Sequence, residues 1–360
     1  MGYIIDKESG ESVYMQLYTA LRKDITSGVY RYGAKLPSKR QVALETGVSV
    51  IPVAHAYDIL CDEGYAEGRE RSGYYVIYRE SDLLTPEHPP RRASVSAVPE
   101  QNRDEFPFSA LSRVMRRVLT EYGERILAVS PRSGLDELRG AISEYLRRSR
   151  SIEADPSQII IGSGSEYLYS LTAQLLRDAG VFALEDPSYA KIERVYRANG
   201  IMCERLRLES DGIASDELRS SKAGVLHVTP FNSYPSGVTA SASKRREYVR
   251  WSRERSGYVI EDDFDSEFSP LTKREDTLFS LGRGERVIYM NTFSQTISPS
   301  IRVGYMVLPS DLAAMFGERL GFYSCTVPVY EQLDLTELID SGEFERHINR
   351  IRRRRRDRLR

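Results

Sequence analysis

"QIIIGSGSEYLYSL", residues 158–171, decides how this chain folds. Its β-branched run Ile159, Ile160, Ile161 reads as a strand, Gly162 to Ser165 as a small-residue turn, and the following pattern as the start of a helix. The same rhythm recurs outward from it. "VFALEDPS", "GVLHVTPFN", "GYVIEDDFD", "RVIYMNTFS" and "RVGYMVLP" are apolar runs that each end in small or polar residues. Stretches of helical pattern separate most of them, so parallel strands with crossover helices are predicted. In such sheets the carboxyl ends of the strands line the ligand crevice, and the polar residues sit at those ends.

The whole chain has 360 residues, too many for one ordinary core, so two domains of unequal size are expected. Apolar residues make up 41% and charged residues 29%, a globular balance, and the formal net charge is −1. That charge predicts no global attraction to nucleic acid or membrane, so binding to a polyanion must be local. Acids stand in "MGYIIDKESGESVY" where a signal peptide needs an apolar core, and no run approaches the ~18 apolar residues of a membrane span. A cytoplasmic location is expected. Cys61, Cys203 and Cys325 are odd in number and widely spaced, which fits neither a disulfide framework nor a zinc cluster. They are expected to be reduced and mostly buried.

Residues 80–104 hold four prolines and no periodicity, and read as a linker between a smaller unit, 1–79, and a larger one, 105–360. In the smaller unit Val13, Leu17, Leu21 and Ile25 recur at i, i+4 and stop at Gly28, predicting an amphipathic helix. Ser38 can cap a second helix, "KRQVALET", and Ser49 a third that tolerates Pro52 in its first turn and runs to about Glu63. Two helices joined by the short "TGVS" turn form a helix-turn-helix. The segment "YAEGRERSGYYVIY" then alternates around Arg69, Arg71 and Gly73 as a two-stranded wing would.

Several polar residues at the strand ends admit two readings. Ser163, Gly164, Ser165 and Glu166 offer free N–H groups at a helix start, suited to a phosphate, yet a tight turn alone explains them. Asp262 and Asp263 can meet a cationic ring nitrogen or a metal, or merely solvate a strand end. Arg302 suits a phosphate or a structural surface role, and Tyr189 suits a planar ligand or a crevice wall.

Taken in order, the small-residue turn, Tyr189, "NSYPSG", "EDD" and "FSQTISPSIRVGY" resemble the large domain of fold-type I aminotransferases, which use pyridoxal phosphate. Before them, "LPSKRQVALETGVS" and "AYDILCDEGYAEGRERSGYYV" resemble a GntR-type winged helix. Over about residues 11–79 and 106–358 the whole resembles a MocR-type transcriptional regulator: a winged helix-turn-helix joined to an α/β aminotransferase-like domain. The resemblance implies that Gly164 and Ser165 hold the cofactor phosphate, with Ser294 and Arg302 on its other side. It implies that Tyr189 stacks on the ring and Asp262 pairs with the protonated ring nitrogen. A homodimer and a small-molecule effector, an amino acid or a vitamer, are implied as well.

Two positions depart from the family pattern. Gln295 stands where the family places the lysine that forms the Schiff base, and Phe264 where a tyrosine usually serves the ring oxygen. An amide is neither nucleophile nor base, so ordinary aminotransferase activity is not expected, while non-covalent binding of pyridoxal phosphate or its amino-acid adduct stays open. The final "RHINRIRRRRRDRLR" resembles the start of the helix that introduces the family's small domain, so an incomplete C-terminal end is expected, with a solvated charged face there. The favoured reading is a DNA-binding regulator with an inactive aminotransferase-like domain. The alternatives are an active aminotransferase with an accessory domain, for which Lys273 is the only lysine after Lys244, or a truncated remnant.

The operator contacts must come from a few placed groups, because residues 1–80 carry ten Lys/Arg against eleven Asp/Glu. Ser38, Lys39, Arg40, Ser49, Arg69, Arg71 and Gly73 are the candidates for phosphate and base-edge contacts with double-stranded DNA. Val50 and Pro52 replace the polar residues usual in the family's turn, which shifts base readout toward van der Waals contact and the wing.

Overall fold

In the computed structural model the described residues are 3, 5–6, 10–69, 72–78, 106–269 and 275–358. The proposed linker, Arg71 and Lys273 lie outside them. The chain divides into two compact units, Met1–Val98 and Pro99–Arg360.

In the first unit, helix α1 (Val13–Thr26) buries Leu17, Tyr18, Leu21 and Ile25, the stripe that the i, i+4 spacing predicts. Helix α2 (Lys39–Thr46) begins where the Ser38 hydroxyl accepts the Gln41 N–H at 3.1 Å, and it ends at Gly47, whose left-handed φ of 67° glycine adopts freely. Helix α3 (Val50–Asp62) buries Val53, Ala56, Tyr57 and Leu60 against α1 and α2. Strands β1 (Ala66–Arg69) and β2 (Gly73–Val76) pair antiparallel from Ala66↔Val76 to Arg69↔Gly73 as the wing. The wing is fixed to the helices: the Tyr57 and Tyr74 rings meet edge-on at 4.9 Å, and the Tyr57 hydroxyl donates to the Pro37 carbonyl at 2.7 Å.

The second unit begins with α4 (Phe108–Tyr122) and α5 (Asp136–Arg150). Then come β3 (Ile159–Gly162), α6 (Ser165–Leu175), β4 (Phe182–Asp186), α7 (Ala190–Ala198), β5 (Cys203–Glu209), β6 (Gly212–Ile213) and α8 (Ser215–Ser220). The chain continues through β7 (Val225–Val228), α9 (Ala242–Glu254), β8 (Tyr258–Asp262), α10 (Leu278–Gly282), β9 (Val287–Thr292), α11 (Phe293–Thr296) and β10 (Gly304–Val307). It closes with α12 (Ser310–Arg319), α13 (Val329–Asp340) and α14 (Glu343–Arg358).

Among the described residues the strands form one sheet in the order β3-β10-β9-β8-β7-β4-β5-β6. The block from β9 to β5 is parallel, as the crossover helices require. Alternation along each strand sends neighbours to opposite faces. Ile159, Ile161, Val259, Tyr289 and Val307 enter one apolar cluster, which also holds Leu138, Trp251 and Leu333. Ile160, Phe182, Ile260, Met290 and Met306 enter the other, with Leu168, Ile192 and Leu312. Both faces are covered, which is why these strands read as unbroken apolar runs.

Three expectations need correction. Strand β10 runs antiparallel to both β3 and β9, because the short segment from Phe293 to Val303 makes a reversal rather than a crossover. The three cysteines are free but only half-buried. The C-terminal basic helix is not merely a solvated face: α14 buries Phe344, His347, Ile348 and Ile351, and the Arg352 Nε donates to the Glu267 carbonyl at 2.6 Å. No helix among the described residues is long and apolar enough to cross a membrane.

Candidate functional site

At the carboxyl ends of the central strands lies a cavity of about 300 Å³. Ser165 and Glu166 from the start of α6, Tyr189 from the end of the β4 turn, Asp262 and Phe264 after β8, and Ser294, Gln295 and Arg302 after β9 all line it. Ser165 and Arg302, 137 positions apart in sequence, thus converge because the connections that carry them lie at one end of the sheet. Gly164 lies just behind, with φ of 86°; a Cβ there would come within 3.1 Å of the Arg302 guanidinium. Only glycine lets the backbone at the α6 N-terminus approach that arginine. The Ser294 hydroxyl donates to the Ile301 carbonyl at 2.8 Å, which pins the loop carrying Arg302.

Asp262 is almost fully buried, yet its carboxylate is well supplied with partners. The Tyr169 hydroxyl donates to it, and His227 Nε2 stands 3.6 Å from the same oxygen. His227 Nδ1 lies 2.6 Å from the Tyr196 hydroxyl, so with Tyr196 donating, the Nε2–H faces Asp262. The Tyr169 hydroxyl is the group hydrogen-bonded to the carboxylate, and His227 Nε2 stands near it without a hydrogen bond. Burial and the Asp262 charge push the Tyr169 hydroxyl well above its ordinary pKa, so it stays a donor.

Asp263 is not at the crevice. Adjacent strand-end residues face opposite ways, and Asp263 turns inward to the buried Arg150 guanidinium and to the Tyr289 hydroxyl at 2.9 Å. The metal alternative for these acids gains no support: no group of three or more His, Cys, Asp or Glu able to hold a metal occurs among the described residues. Ser163 also turns away, its N–H donating to the Thr326 hydroxyl at 3.2 Å.

The cavity contains groups that the sequence reading did not single out as site residues. Tyr234 meets Tyr189 edge-on at 6.1 Å, and Tyr169, Lys191, Ile192, Thr229 and Thr292 complete the wall. Lys191 reads in sequence as a helix-surface lysine in α7, and His227, behind the wall beside Asp262, as one more strand residue; only the strand order brings them to the site. Lys191 and Arg302 both reach Glu166, at 2.5 Å and 3.2 Å. The Lys191 ammonium holds the Glu166 carboxyl below its usual range, and Glu166 in turn raises Lys191. Gln295 is exposed into the cavity as a neutral amide.

The residues present fit a ring bearing a phosphate and a cationic nitrogen. Gly164 leaves a cradle beside Arg302, Tyr189 offers an aromatic face, and Asp262 presents a buried carboxyl group.

In the first unit the candidate DNA-contact residues are not equivalent. Ser38 uses its hydroxyl as the α2 cap, whereas Ser49 makes no side-chain cap bond to α3. Lys39 points back to Asp58 at 3.6 Å and over the Tyr74 ring at 4.8 Å. Arg40 is exposed, and Arg69 pairs with Glu67 at 2.7 Å while covering Tyr75. Gly73 has φ of 109° and permits the wing turn. Val50 and Ile51 are exposed at the start of α3, Ile51 by 81%.

Residues 101–358 match aminotransferase class I and II, and residues 13–76 match the gntR family of bacterial regulatory proteins. The chain is 32% identical over 353 residues to the HTH-type transcriptional regulator YdeL of Bacillus subtilis, covering 95% of this chain and 76% of YdeL. It is 28% identical over 375 residues to the probable rhizopine catabolism regulatory protein MocR of Rhizobium meliloti, covering 97% and 76%. Among solved structures, LysN, the α-aminoadipate aminotransferase of Thermus thermophilus complexed with N-(5'-phosphopyridoxyl)-L-leucine, matches with a TM-score of 0.61 and 28% identity. That likeness covers 69% of this chain and 64% of LysN.

Proposed function

We propose a function on the premise that this chain belongs to the aminotransferase class I and II family, in the arrangement with an N-terminal gntR-family domain that MocR-type transcriptional regulators share. It is a DNA-binding regulator whose larger unit senses pyridoxal phosphate, or its amino-acid adduct, by reversible non-covalent binding. The observation that supports this reading is a single cavity lined by Asp262, Arg302 and the amide of Gln295, the residue at which the resemblance places the Schiff-base lysine.

When bound, pyridoxal phosphate supplies an electron-withdrawing ring and an aldehyde open to amines. Asp262, held by the Tyr169 hydroxyl, would accept the ring N–H and keep that nitrogen protonated. Ser165, Arg302 and the N–H groups at the start of α6 would receive the phosphate, while Ser294, whose hydroxyl donates to the Ile301 carbonyl, would hold the loop that carries Arg302. Tyr189 covers one ring face. Phe264 gives apolar contact and no hydrogen bond to the ring oxygen. Gln295 neither attaches the aldehyde nor moves a proton, so the chain's residues bind and orient the ligand without turning it over.

The enzyme alternative needs a free amine in the cavity. Lys191 is the one lysine among the described lining residues, and its ammonium is tied to Glu166, which keeps it protonated and poorly nucleophilic. On the DNA side, α3 with exposed Val50 and Ile51 suits the major groove, and Arg40 and Arg69 suit flanking phosphates. A homodimer joined through the larger unit completes the reading, as half-site recognition requires.

The test is a titration of the full chain with pyridoxal phosphate, followed by absorbance and then by borohydride reduction. Saturable binding with no reduced adduct on the protein is expected, and Gln295→Lys is expected to gain the adduct. A borohydride-fixed adduct on the parent chain would overturn the non-covalent reading.

A further inference from the structure

Glu166 sits where the pocket should be most hospitable to an anion. It occupies the first turn of α6, its Oε1 is 2.5 Å from Lys191 Nζ, and its Oε2 is 3.2 Å from an Arg302 nitrogen. Each carboxylate oxygen therefore satisfies one cation, and the carboxylate bridges two elements, α7 and the loop after β9. Behind Arg302 lies Gly164, whose missing Cβ opens the backbone to the same guanidinium. A phosphate seated between the α6 N-terminus and Arg302 must approach the nitrogen that Glu166 now holds. Two anions cannot share it without mutual repulsion.

We propose that Glu166 is a built-in competitor for the ligand's phosphate, and that Lys191 and Arg302 are the two cations the phosphate takes over when it binds. The site then selects a dianionic phosphate ester over the same ring without its phosphate. A carboxylate carries one negative charge, and a phosphate monoester carries up to two with three acceptor oxygens, so the dianion is the stronger partner for a pair of cations. Glu166 is tethered and costs little to return, so it sets a threshold below which the cup stays closed on itself. Lys191 thereby gains a role as a phosphate-binding residue, contributed from the helix that follows Tyr189 rather than from the phosphate turn. All three side chains are at least one-third exposed and Glu166→Gln keeps size and shape, so it and Lys191→Gln, at an exposed helix position, should both fold.

This inference rests on the reading of the cavity as a pyridoxal phosphate site. Its test compares equilibrium binding of pyridoxal phosphate and of unphosphorylated pyridoxal to the full-length parent, Glu166→Gln and Lys191→Gln, each shown folded by circular dichroism. Glu166→Gln should bind pyridoxal phosphate about tenfold more tightly, and Lys191→Gln about tenfold more weakly, with pyridoxal changed by less than about twofold in both. If the parent binds pyridoxal phosphate but Glu166→Gln is no tighter, or pyridoxal tightens equally, the competitor role is overturned while the pocket assignment stands. If none of the folded proteins binds either compound, both are overturned.

Discussion

The amide of Gln295 and the carboxylate of Asp262 carry opposite consequences for one ligand. Asp262→Asn leaves the shape of the wall intact but removes the anion that keeps a ring nitrogen protonated. It should weaken pyridoxal phosphate binding by about tenfold or more in a fluorescence-quenching titration, and an unchanged affinity would remove Asp262 from the site. A second residue-scale prediction concerns Glu185, fully buried at the end of β4, with its carboxyl accepting from the Ser233 hydroxyl at 2.7 Å. Burial pushes this carboxyl up to about 8, from an ordinary value of 4.5. The folded chain then keeps a proton that the unfolded chain releases, so stability falls as pH rises from about 4.5 toward about 8. Glu185→Gln should gain on the parent as pH rises from about 4.5 to about 8, by up to about 4 kcal/mol in urea unfolding. An equal difference at both pH values would mean that Glu185 is ionised in the fold. At this scale the sequence was legible where a residue ends a strand, as with Asp262, Tyr189 and Ser294. It was not where facing decides: Asp263 differs from Asp262 by one position and points to the opposite side, and His227 and Lys191 are brought in by strand order alone.

Among the elements, α2 and α3 are the pair proposed to contact DNA. Their positions were readable because caps and stops are local: Ser38 and Gly47 bracket α2 where the sequence places them. Ser38→Ala removes the acceptor for the Gln41 N–H and should cost about 1 kcal/mol of stability in the first unit, measured by urea unfolding. Ile51 lies 81% exposed on α3 and contributes little to the core. Ile51→Glu should leave the unfolding midpoint within about 0.5 kcal/mol of the parent and abolish DNA retardation in a gel shift, through loss of apolar contact and repulsion from phosphate. Retained binding would move the interface off α3. Strand β5 was missed as an element because "CERLRLE" alternates charged with apolar residues near the sheet edge, unlike the apolar runs of the central strands. The antiparallel β10 was missed for a different reason: an apolar run carries no sign of direction, which only the length of the connection to β9 fixes.

For the whole molecule, the proposed function requires that binding in the larger unit changes what the smaller unit does with DNA. The formal net charge of −1 offers no general attraction to a polyanion, so specific contacts must supply the affinity. A ligand alters DNA binding only by as much as it favours one DNA-binding state over another, and the coupling is reciprocal. The decisive measurement is a fluorescence-anisotropy titration of the full chain against the DNA upstream of its own gene, with and without saturating pyridoxal phosphate, at one fixed salt concentration. The account predicts saturable binding in preference to unrelated DNA, with a midpoint that moves severalfold when the ligand is present. Binding with no sequence preference, or a midpoint that stays fixed under saturating ligand, would contradict it.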